Sequence, residues 1–119
     1  MTYELPAGHI EPGENATDGV IREAKEEVSA PPVLRGESGK CAVMHRFNKD
    51  SSLIYFGLYF FSTEWQGEPT NCEPDKCGDV RWFPLSNLPQ NCVPFTRRVL
   101  AEYWPQRVGY SEYGWAARS

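Results

Sequence analysis

The stretch GHIEPGENATDGVIREAKEEVSA, residues 8–30, decides how this sequence folds. Its first part is a loop rich in glycine and proline, and its second part has the pattern of a helix. Asn15 is a favourable N-cap, and Asp18 follows in the first turn, where an acidic side chain stabilises the helix start. Apolar residues recur at steps of three and four, at Ala16, Val20, Ile21, Ala24 and Val28. The spacing predicts an amphipathic helix that ends near Ser29.

Three glutamates crowd one side of this predicted helix. Glu23 stands three and four residues before Glu26 and Glu27, so the three carboxylates share a face and repel one another. A divalent cation that prefers oxygen ligands removes this repulsion, which favours magnesium or manganese. The alternative is a solvated acidic face that Arg22 and Lys25 partly neutralise. The helix by itself leaves both interpretations open.

The loop before the helix favours the metal site. Gly8 and Gly13 allow backbone conformations that other residues disfavour, and Pro6 and Pro12 stiffen the chain. We therefore expect the loop to fold tightly over the helix start. Its amides and carbonyls could then contact a phosphate or a metal.

The polar residues of this stretch stand at the spacing of a known motif, the Nudix box, and the sequence resembles it closely. The matching positions are Gly8, Glu14, Arg22, Glu23, Glu26 and Glu27. The sequence departs from the motif at Ser29, where the family has glycine, and at Ala24 and Ala30, where it has larger aliphatic residues. Ser29 is compatible with the motif if the helix exit avoids a left-handed conformation.

The resemblance extends over most of the chain and is closest to the MutT-like branch of the family. Residues 3–9 resemble the family's approach to the loop, and residues 80–85 with Leu88-Pro89 resemble its late strand and turn. The resemblance implies an α/β (α+β) fold, an α/β/α sandwich with a mixed sheet, in one domain over residues 1–119 with the box at about 8–30. Because the box begins so near Met1, we expect the usual N-terminal strands to be lacking.

The resemblance also implies an activity and its catalytic residues. The activity is magnesium-dependent or manganese-dependent hydrolysis of the diphosphate linkage in a nucleoside di- or triphosphate or a related nucleotide. Glu23, Glu26 and Glu27 would bind the metal, and Glu26 would also activate the attacking water. Arg22 would orient a glutamate, and Glu14 would support the loop or the metal shell.

Four further residues are candidates for the substrate and metal sites. Gly8 would bring the loop backbone to the substrate, and Asn91 matches an asparagine that contacts the base in the MutT-like branch. Asn91 is equally suited to cap a helix. Glu73 or Asp79 would supply the additional acid that many family members take from a later loop. Each is also readily explained as a solvated loop charge.

Beyond the box, the sequence predicts a hairpin of two strands, Cys41–Phe47 and Leu53–Phe61, joined by a polar turn. The second strand is apolar on both faces, so we expect helices on both sides of the sheet. Residues 62–78 are rich in turn formers and predict a long loop. Val80–Pro84 predicts a short strand.

The two ends of the chain and the second helix complete the prediction. Residues 2–5 are typical of the end of a strand. Pro94 can open a helix whose apolar face consists of Phe95, Val99, Leu100 and Tyr103. The tail from Arg107 is too aromatic for a solvated linker. Three other aromatic side chains, Trp65, Trp82 and Phe83, could stack on a base, but we expect them to pack in the core.

The composition excludes some classes of function. The formal net charge of −4 argues against a nucleic-acid polymer as the partner, because such binding needs a dense basic surface. The longest apolar run is too short to span a membrane and no leader is visible, so we expect a cytoplasmic protein. The four cysteines predict reduced thiols. The alternative is a zinc site in which Cys72 and Cys77 join Cys41 or His45.

The lack of the usual N-terminal strands would leave an unpaired sheet edge and part of an apolar face exposed. Such an edge favours a homodimer or strand exchange. It also raises an alternative to the enzyme, a catalytically impaired Nudix-like domain that binds a nucleotide or a protein.

Overall fold

The computed structural model describes residues 2–34, 41–104 and 106–115. The elements in chain order are helix α1 (Ala16–Val28), strands β1 (Cys41–Asn48) and β2 (Leu53–Phe60), a 3-10 turn (Leu85–Asn87), helix α2 (Pro94–Tyr103) and strand β3 (Gly109–Tyr113). The fold is therefore α+β, as predicted. Within the described ranges, no helix is both long and apolar enough to cross a membrane.

Helix α1 begins as the sequence predicts and ends differently. The Asn15 side chain accepts a hydrogen bond from the Asp18 backbone N–H over 2.8 Å, which caps the helix start. At the other end, Ser29 is left-handed, with φ 56°, and its N–H donates to the Lys25 carbonyl. The condition under which Ser29 would be compatible with the motif, an exit that avoids this conformation, is therefore not met. Ser29 therefore carries backbone strain that glycine would not.

The sheet has three strands in the order β2-β1-β3. The hairpin is confirmed: β1 and β2 are antiparallel, from Cys41↔Phe60 to Asn48↔Leu53. In the turn between them, the Asn48 side chain accepts the backbone N–H groups of Asp50 and Ser51. Strand β3 pairs with β1 in parallel, so the sheet is mixed, as predicted.

The core lies between one face of the sheet and α2. Ala42 and Met44 of β1 and Val99 of α2 are fully buried, and Tyr103 nearly so. The Tyr103 hydroxyl donates to the Val43 carbonyl over 3.2 Å, which ties the end of α2 to the sheet. The predicted apolar face of α2 is thus the face that packs.

The other face of β2 is exposed. Ile54, Phe56 and Leu58 remain 57%, 66% and 41% accessible. The prediction that this strand is covered on both sides is wrong. An apolar run shows that a strand can be buried, whereas its actual burial depends on which elements pack against it.

Outside the hairpin, the strands of the structure differ from the predicted ones. Val80–Pro84 forms no strand, so this prediction is wrong. At this place Arg81 donates a hydrogen bond to the Asp79 carboxylate, which also accepts one from the Tyr3 hydroxyl. Residues 2–5 provide one bridge, Tyr3↔Cys92. The aromatic tail, by contrast, supplies a strand that was not predicted, because β3 depends on its pairing with the distant β1.

Candidate functional site

Arg22 connects the loop to α1. Its guanidinium holds both oxygens of Glu14, at 2.8 and 3.1 Å, and donates to the His9 carbonyl at 3.0 Å. Its Nη1 atom donates to Glu23 Oε1 at 2.9 Å and to Glu26 Oε2 at 3.2 Å. Arg22 thus restrains two of the three predicted metal ligands. Such contacts can orient a glutamate, as the resemblance implies.

Glu14 belongs to the loop that precedes the helix. Its hydrogen bonds from Arg22 hold the pKa of its carboxyl below the ordinary range, and the Glu11 N–H also donates to it at 3.0 Å. Glu14 therefore remains charged and braces the loop against Arg22. Of the two roles considered for it, these contacts favour support of the loop.

The loop backbone lies directly against the glutamates. A Cβ at Gly8 would overlap the carboxyl group of Glu23, so any residue other than glycine would displace the Glu23 side chain. One residue earlier, the Ala7 N–H donates to Glu27 Oε2 over 3.1 Å. The constrained approach of the loop brings backbone and carboxylates together, as expected from its prolines and glycines.

Glu27 is the most perturbed carboxyl of the cluster. Burial raises its pKa to about 7, and the neighbouring carboxylates of Glu23 and Glu73 act in the same direction, against the Ala7 hydrogen bond. Its charged form is therefore disfavoured without a cation. A hard dication would relieve this repulsion, so the donor set fits magnesium or manganese in chemical type.

The two candidates for an additional acid are separated by the structure. The loop that carries Glu73 is tied to the end of α1, because the Thr70 and Cys72 N–H groups donate to the Val28 and Glu27 carbonyls at 2.8 and 3.1 Å. Glu73 is close enough to raise the pKa of Glu27.

Asp79 has other partners. It accepts a hydrogen bond from the Tyr3 hydroxyl at 2.6 Å and pairs with Arg81 at 2.7 Å, and both contacts lower its pKa. This network was missed at the level of sequence, because Tyr3 and Asp79 are far apart in the chain. It leaves Glu73 as the better candidate for the additional acid.

Asn91 and two exposed tryptophans are candidates for substrate contacts outside the loop. Asn91 accepts the Tyr3 N–H at its carbonyl over 2.8 Å. The N-cap of α2 is Val93, with no side-chain cap, so the alternative role of Asn91 as the cap of that helix is wrong. Trp65 and Trp82 pack on each other at 4.9 Å but remain 42% and 63% exposed. The expectation that both pack in the core is wrong.

The side chains do not converge as a completed metal site. Among the described residues, no group of three His, Cys, Asp or Glu side chains is placed to hold a metal ion. Arg22 occupies one oxygen each of Glu23 and Glu26. Within the described ranges, no such group surrounds Cys72 and Cys77 either, and the four cysteines form no disulfide there.

The chain is similar in sequence to several known proteins. The family model described as NUDIX domain matches residues 2–103. The mutator protein MutT4 of Mycobacterium tuberculosis is 28% identical over 86% of this chain and 40% of that protein. Proteins named NAD-capped RNA hydrolase NudC from Pseudomonas fluorescens and Stutzerimonas stutzeri are 27% and 30% identical, over 92% of this chain and 38% of each relative. The chain thus spans 38% to 40% of the length of these relatives. No solved structure matches it significantly.

Proposed function

The chain belongs to the Nudix family, and we propose that it forms a single Nudix domain over residues 1–119, with its box at about 8–30, that acts as a metal-dependent hydrolase. Its substrate would be a nucleoside di- or triphosphate or a related nucleotide, cleaved at the diphosphate linkage. The metal would be magnesium or manganese.

One observation carries the proposal: several carboxylates share a single cation, the guanidinium of Arg22. Arg22 contacts Glu11, Glu14, Glu23 and Glu26, and the pKa of Glu27 is raised to about 7, by burial first and then by the charges of Glu23 and Glu73. A helix shaped only for stability would not gather like charges this way. A divalent cation supplies the charge that this cluster lacks.

Glu23, Glu26 and Glu27 would hold the metal, and Glu73 is the additional acid that we favour. When bound, the metal neutralises the diphosphate and lowers the pKa of a coordinated water. Arg22 fixes the side chains of Glu23 and Glu26 relative to the loop. In this role it is a positioning residue, because it would act through the two glutamates that it holds.

We assign activation of the attacking water to Glu26. Its side chain is 57% exposed, whereas that of Glu23 is 18% exposed. A carboxylate that takes a proton from water must be reachable from solvent and must stay charged. Glu26 has one oxygen on Arg22, which leaves the other available to water.

The loop at Gly8 and the segment around Asn91 would bind the substrate. The Gly8 backbone lies against the Glu23 carboxyl, which would place the loop amides beside a metal-bound phosphate. The relatives named NAD-capped RNA hydrolase suggest that a dinucleotide belongs among the compounds to test.

The test is product release from a panel of nucleoside triphosphates, nucleotide sugars and NAD, with magnesium and with chelator. Glu26→Gln should lose the activity. Glu102→Gln is the matched control, because Glu102 also pairs with an arginine four residues before it on a helix. Equal rates for native protein and Glu26→Gln would remove the proposed site.

A second candidate is a Nudix-like domain that binds a nucleotide or a protein without turnover. The hydrogen bonds from Arg22 to Glu23 and Glu26 favour it, because they compete with a metal for the same oxygens. Calorimetry with the same compounds distinguishes the two. Binding without product supports this candidate, and magnesium-dependent turnover excludes it.

We also propose that two copies of the chain associate through β2. This strand lies at the edge of the described sheet, and Ile54, Phe56 and Leu58 expose an apolar face. An edge of this kind can pair with a second copy. Size-exclusion chromatography with light scattering should give a dimer that Phe56→Ser weakens; a native monomer would contradict this.

A further inference from the structure

Two segments that are far apart in the sequence both hold Glu27. The first is the N-terminal segment, residues 3–7, whose Ala7 N–H donates to Glu27 Oε2 over 3.1 Å. The second is a later loop, whose Cys72 N–H donates to the Glu27 carbonyl over 3.1 Å. The same loop brings the charge of Glu73 close to Glu27. The geometry of the glutamate cluster therefore depends on how these two segments are placed relative to each other.

The later loop, residues 70–79, is braced as one unit and is called the Glu73 loop below. The Glu73 carbonyl accepts the Cys77 N–H at 2.8 Å, which closes a single turn of backbone. The Asn71 side chain spans this turn, because it accepts the Glu73 N–H at 3.1 Å and donates to the Cys77 carbonyl at 2.6 Å. The Cys77 thiol donates to the Asp79 carbonyl at 3.1 Å. A displacement of Asp79 would therefore be passed on to Glu73.

A hydrogen bond from Tyr3 joins the N-terminal segment to the Glu73 loop. The Tyr3 hydroxyl donates to the Asp79 carboxylate at 2.6 Å, a short distance that is typical of a hydrogen bond to a charged acceptor. This contact raises the pKa of Tyr3 and lowers that of Asp79, so the hydroxyl stays protonated and the carboxylate stays charged. Arg81 donates to the same carboxylate at 2.7 Å.

Tyr3 is itself anchored on a third part of the molecule. Its N–H donates to the Asn91 carbonyl and its carbonyl accepts the Val93 N–H, both at 2.8 Å. Its ring packs edge-on against Phe83, with the ring centroids 4.9 Å apart. Because the backbone and the ring of Tyr3 are both held, its hydroxyl offers a fixed point to which the Glu73 loop is attached.

We propose that Tyr3 and Asp79 are positioning residues for the metal site, and that their hydrogen bond fixes the Glu73 loop so that the Glu73 carboxylate approaches Glu27. This inference rests on the hydrolase function proposed above, in which Glu73 is the additional acid. Tyr3 and Asp79 act through Glu73 and contact neither the metal nor the substrate. The loss of a partner that orients a metal ligand lowers metal affinity by about 10–100-fold.

Two other roles make different predictions. If the hydrogen bond serves stability alone, Tyr3→Phe lowers the melting temperature and leaves metal affinity unchanged. If Asp79 is itself the additional acid, Asp79→Asn weakens metal binding more than Tyr3→Phe does. Under our proposal Asp79→Asn is the mild variant, because its amide oxygen can still accept a hydrogen bond from the Tyr3 hydroxyl.

The experiment is calorimetric titration of the full chain with Mn²⁺ alone, together with the magnesium dependence of hydrolysis. Tyr3→Phe and Asp79→Ala should each weaken Mn²⁺ binding by about 10-fold. Each should raise the magnesium concentration for half-maximal activity by the same factor and leave kcat at saturating magnesium within about 2-fold. The double variant should be no weaker than either single one, because both changes remove the same hydrogen bond. Asp79→Asn should bind Mn²⁺ more tightly than Asp79→Ala.

Tyr110→Phe is the matched control for the loss of a tyrosine hydroxyl. The Tyr110 hydroxyl also donates to a carboxylate, that of Glu112 at 3.0 Å, but both residues belong to β3. This variant should keep the Mn²⁺ affinity of the native protein.

Three results would overturn the inference: native Mn²⁺ affinity in a folded Tyr3→Phe protein, weaker Mn²⁺ binding in Asp79→Asn than in Tyr3→Phe, or additive losses in the double variant. Glu27→Gln separates these results from a failure of the proposed function. If Glu27→Gln loses Mn²⁺ binding while Tyr3→Phe keeps it, only the positioning role is rejected. If Glu27→Gln and the native protein have equal Mn²⁺ affinity, the metal site is rejected and the positioning role with it. If Tyr3→Phe does not fold, Asp79→Ala provides the same measurement.

Discussion

The two helices carry the same local device in different settings. In α1, Arg22 pairs with Glu26 four residues later at 3.2 Å, and in α2, Arg98 pairs with Glu102 at the same spacing and 2.8 Å. Among the described residues, Arg98 has this one carboxylate, whereas Arg22 also contacts Glu11, Glu14 and Glu23.

The two helices also differ in burial: α1 has more charged contacts, whereas α2 has more buried side chains. Helix α1 buries Gly19 and Ala24, two small residues, whereas α2 buries the larger Thr96, Val99 and Tyr103. Helix α2 is therefore held by the apolar core, whereas α1 is held mainly by polar contacts with its two loops. The same spacing of arginine and glutamate thus supports stability in α2 and belongs to a concentration of charge in α1.

The largest effect is expected in the core that holds α2. Met44→Ala removes a fully buried side chain and should lower the free energy of unfolding by about 2–5 kcal/mol. Ile21→Ala in half-buried α1 should cost clearly less. Urea denaturation of both variants measures the difference. Equal losses would show that α1 contributes to the core as much as α2 does.

The next largest effect tests whether the charge of a glutamate serves activity, as proposed for Glu27, or stability, as for Glu102. Glu27→Gln should lower magnesium-dependent hydrolysis on the order of 100-fold or more, because a metal ligand is lost. The melting temperature in chelator should not fall, since the pKa of Glu27 is raised to about 7 and its charge is unfavourable there. Glu102→Gln is the control, with full activity and a loss of about 0.3–0.5 kcal/mol. A Glu27→Gln protein that is active but unstable would reverse the interpretation.

A smaller effect tests the contact between loop and glutamates. Gly8→Ala should displace the Glu23 side chain and raise the magnesium concentration for half-maximal activity by about 10-fold. Gly13→Ala is its companion, since a Cβ there meets open space although φ is 80°. That variant should lose stability by about 1 kcal/mol with unchanged metal dependence. An unchanged metal dependence for Gly8→Ala would show that the Glu23 position is not needed.

The smallest effect concerns the end of α1. Ser29→Gly should raise the free energy of unfolding by about 0.5–1 kcal/mol, because glycine adopts the left-handed conformation without strain. Ala30→Gly, at the next position, should lower it, because the buried methyl group is lost. Thermal unfolding of both variants is the measurement. A destabilised Ser29→Gly would mean that Ser29 has a favourable role that its backbone strain conceals.

Local features could be predicted well from sequence. The cap at Asn15, the helix after it, the hairpin of β1 and β2 and the apolar face of α2 all depend on spacing within a few residues. Contacts between distant segments could not. Strand β3 exists because it pairs with β1, and Val80–Pro84 forms no strand although its residues have the right propensity.

The candidate site likewise has one part that the sequence predicts and one part that depends on tertiary packing. The sequence by itself determined that Glu23, Glu26 and Glu27 lie on one side of a helix behind a glycine-rich loop, because the helical repeat decides this within one turn. Only the tertiary structure decided that Glu73 rather than Asp79 approaches Glu27, and that one face of β2 stays exposed. Both outcomes depend on where separate segments pack, and local backbone geometry does not determine that packing.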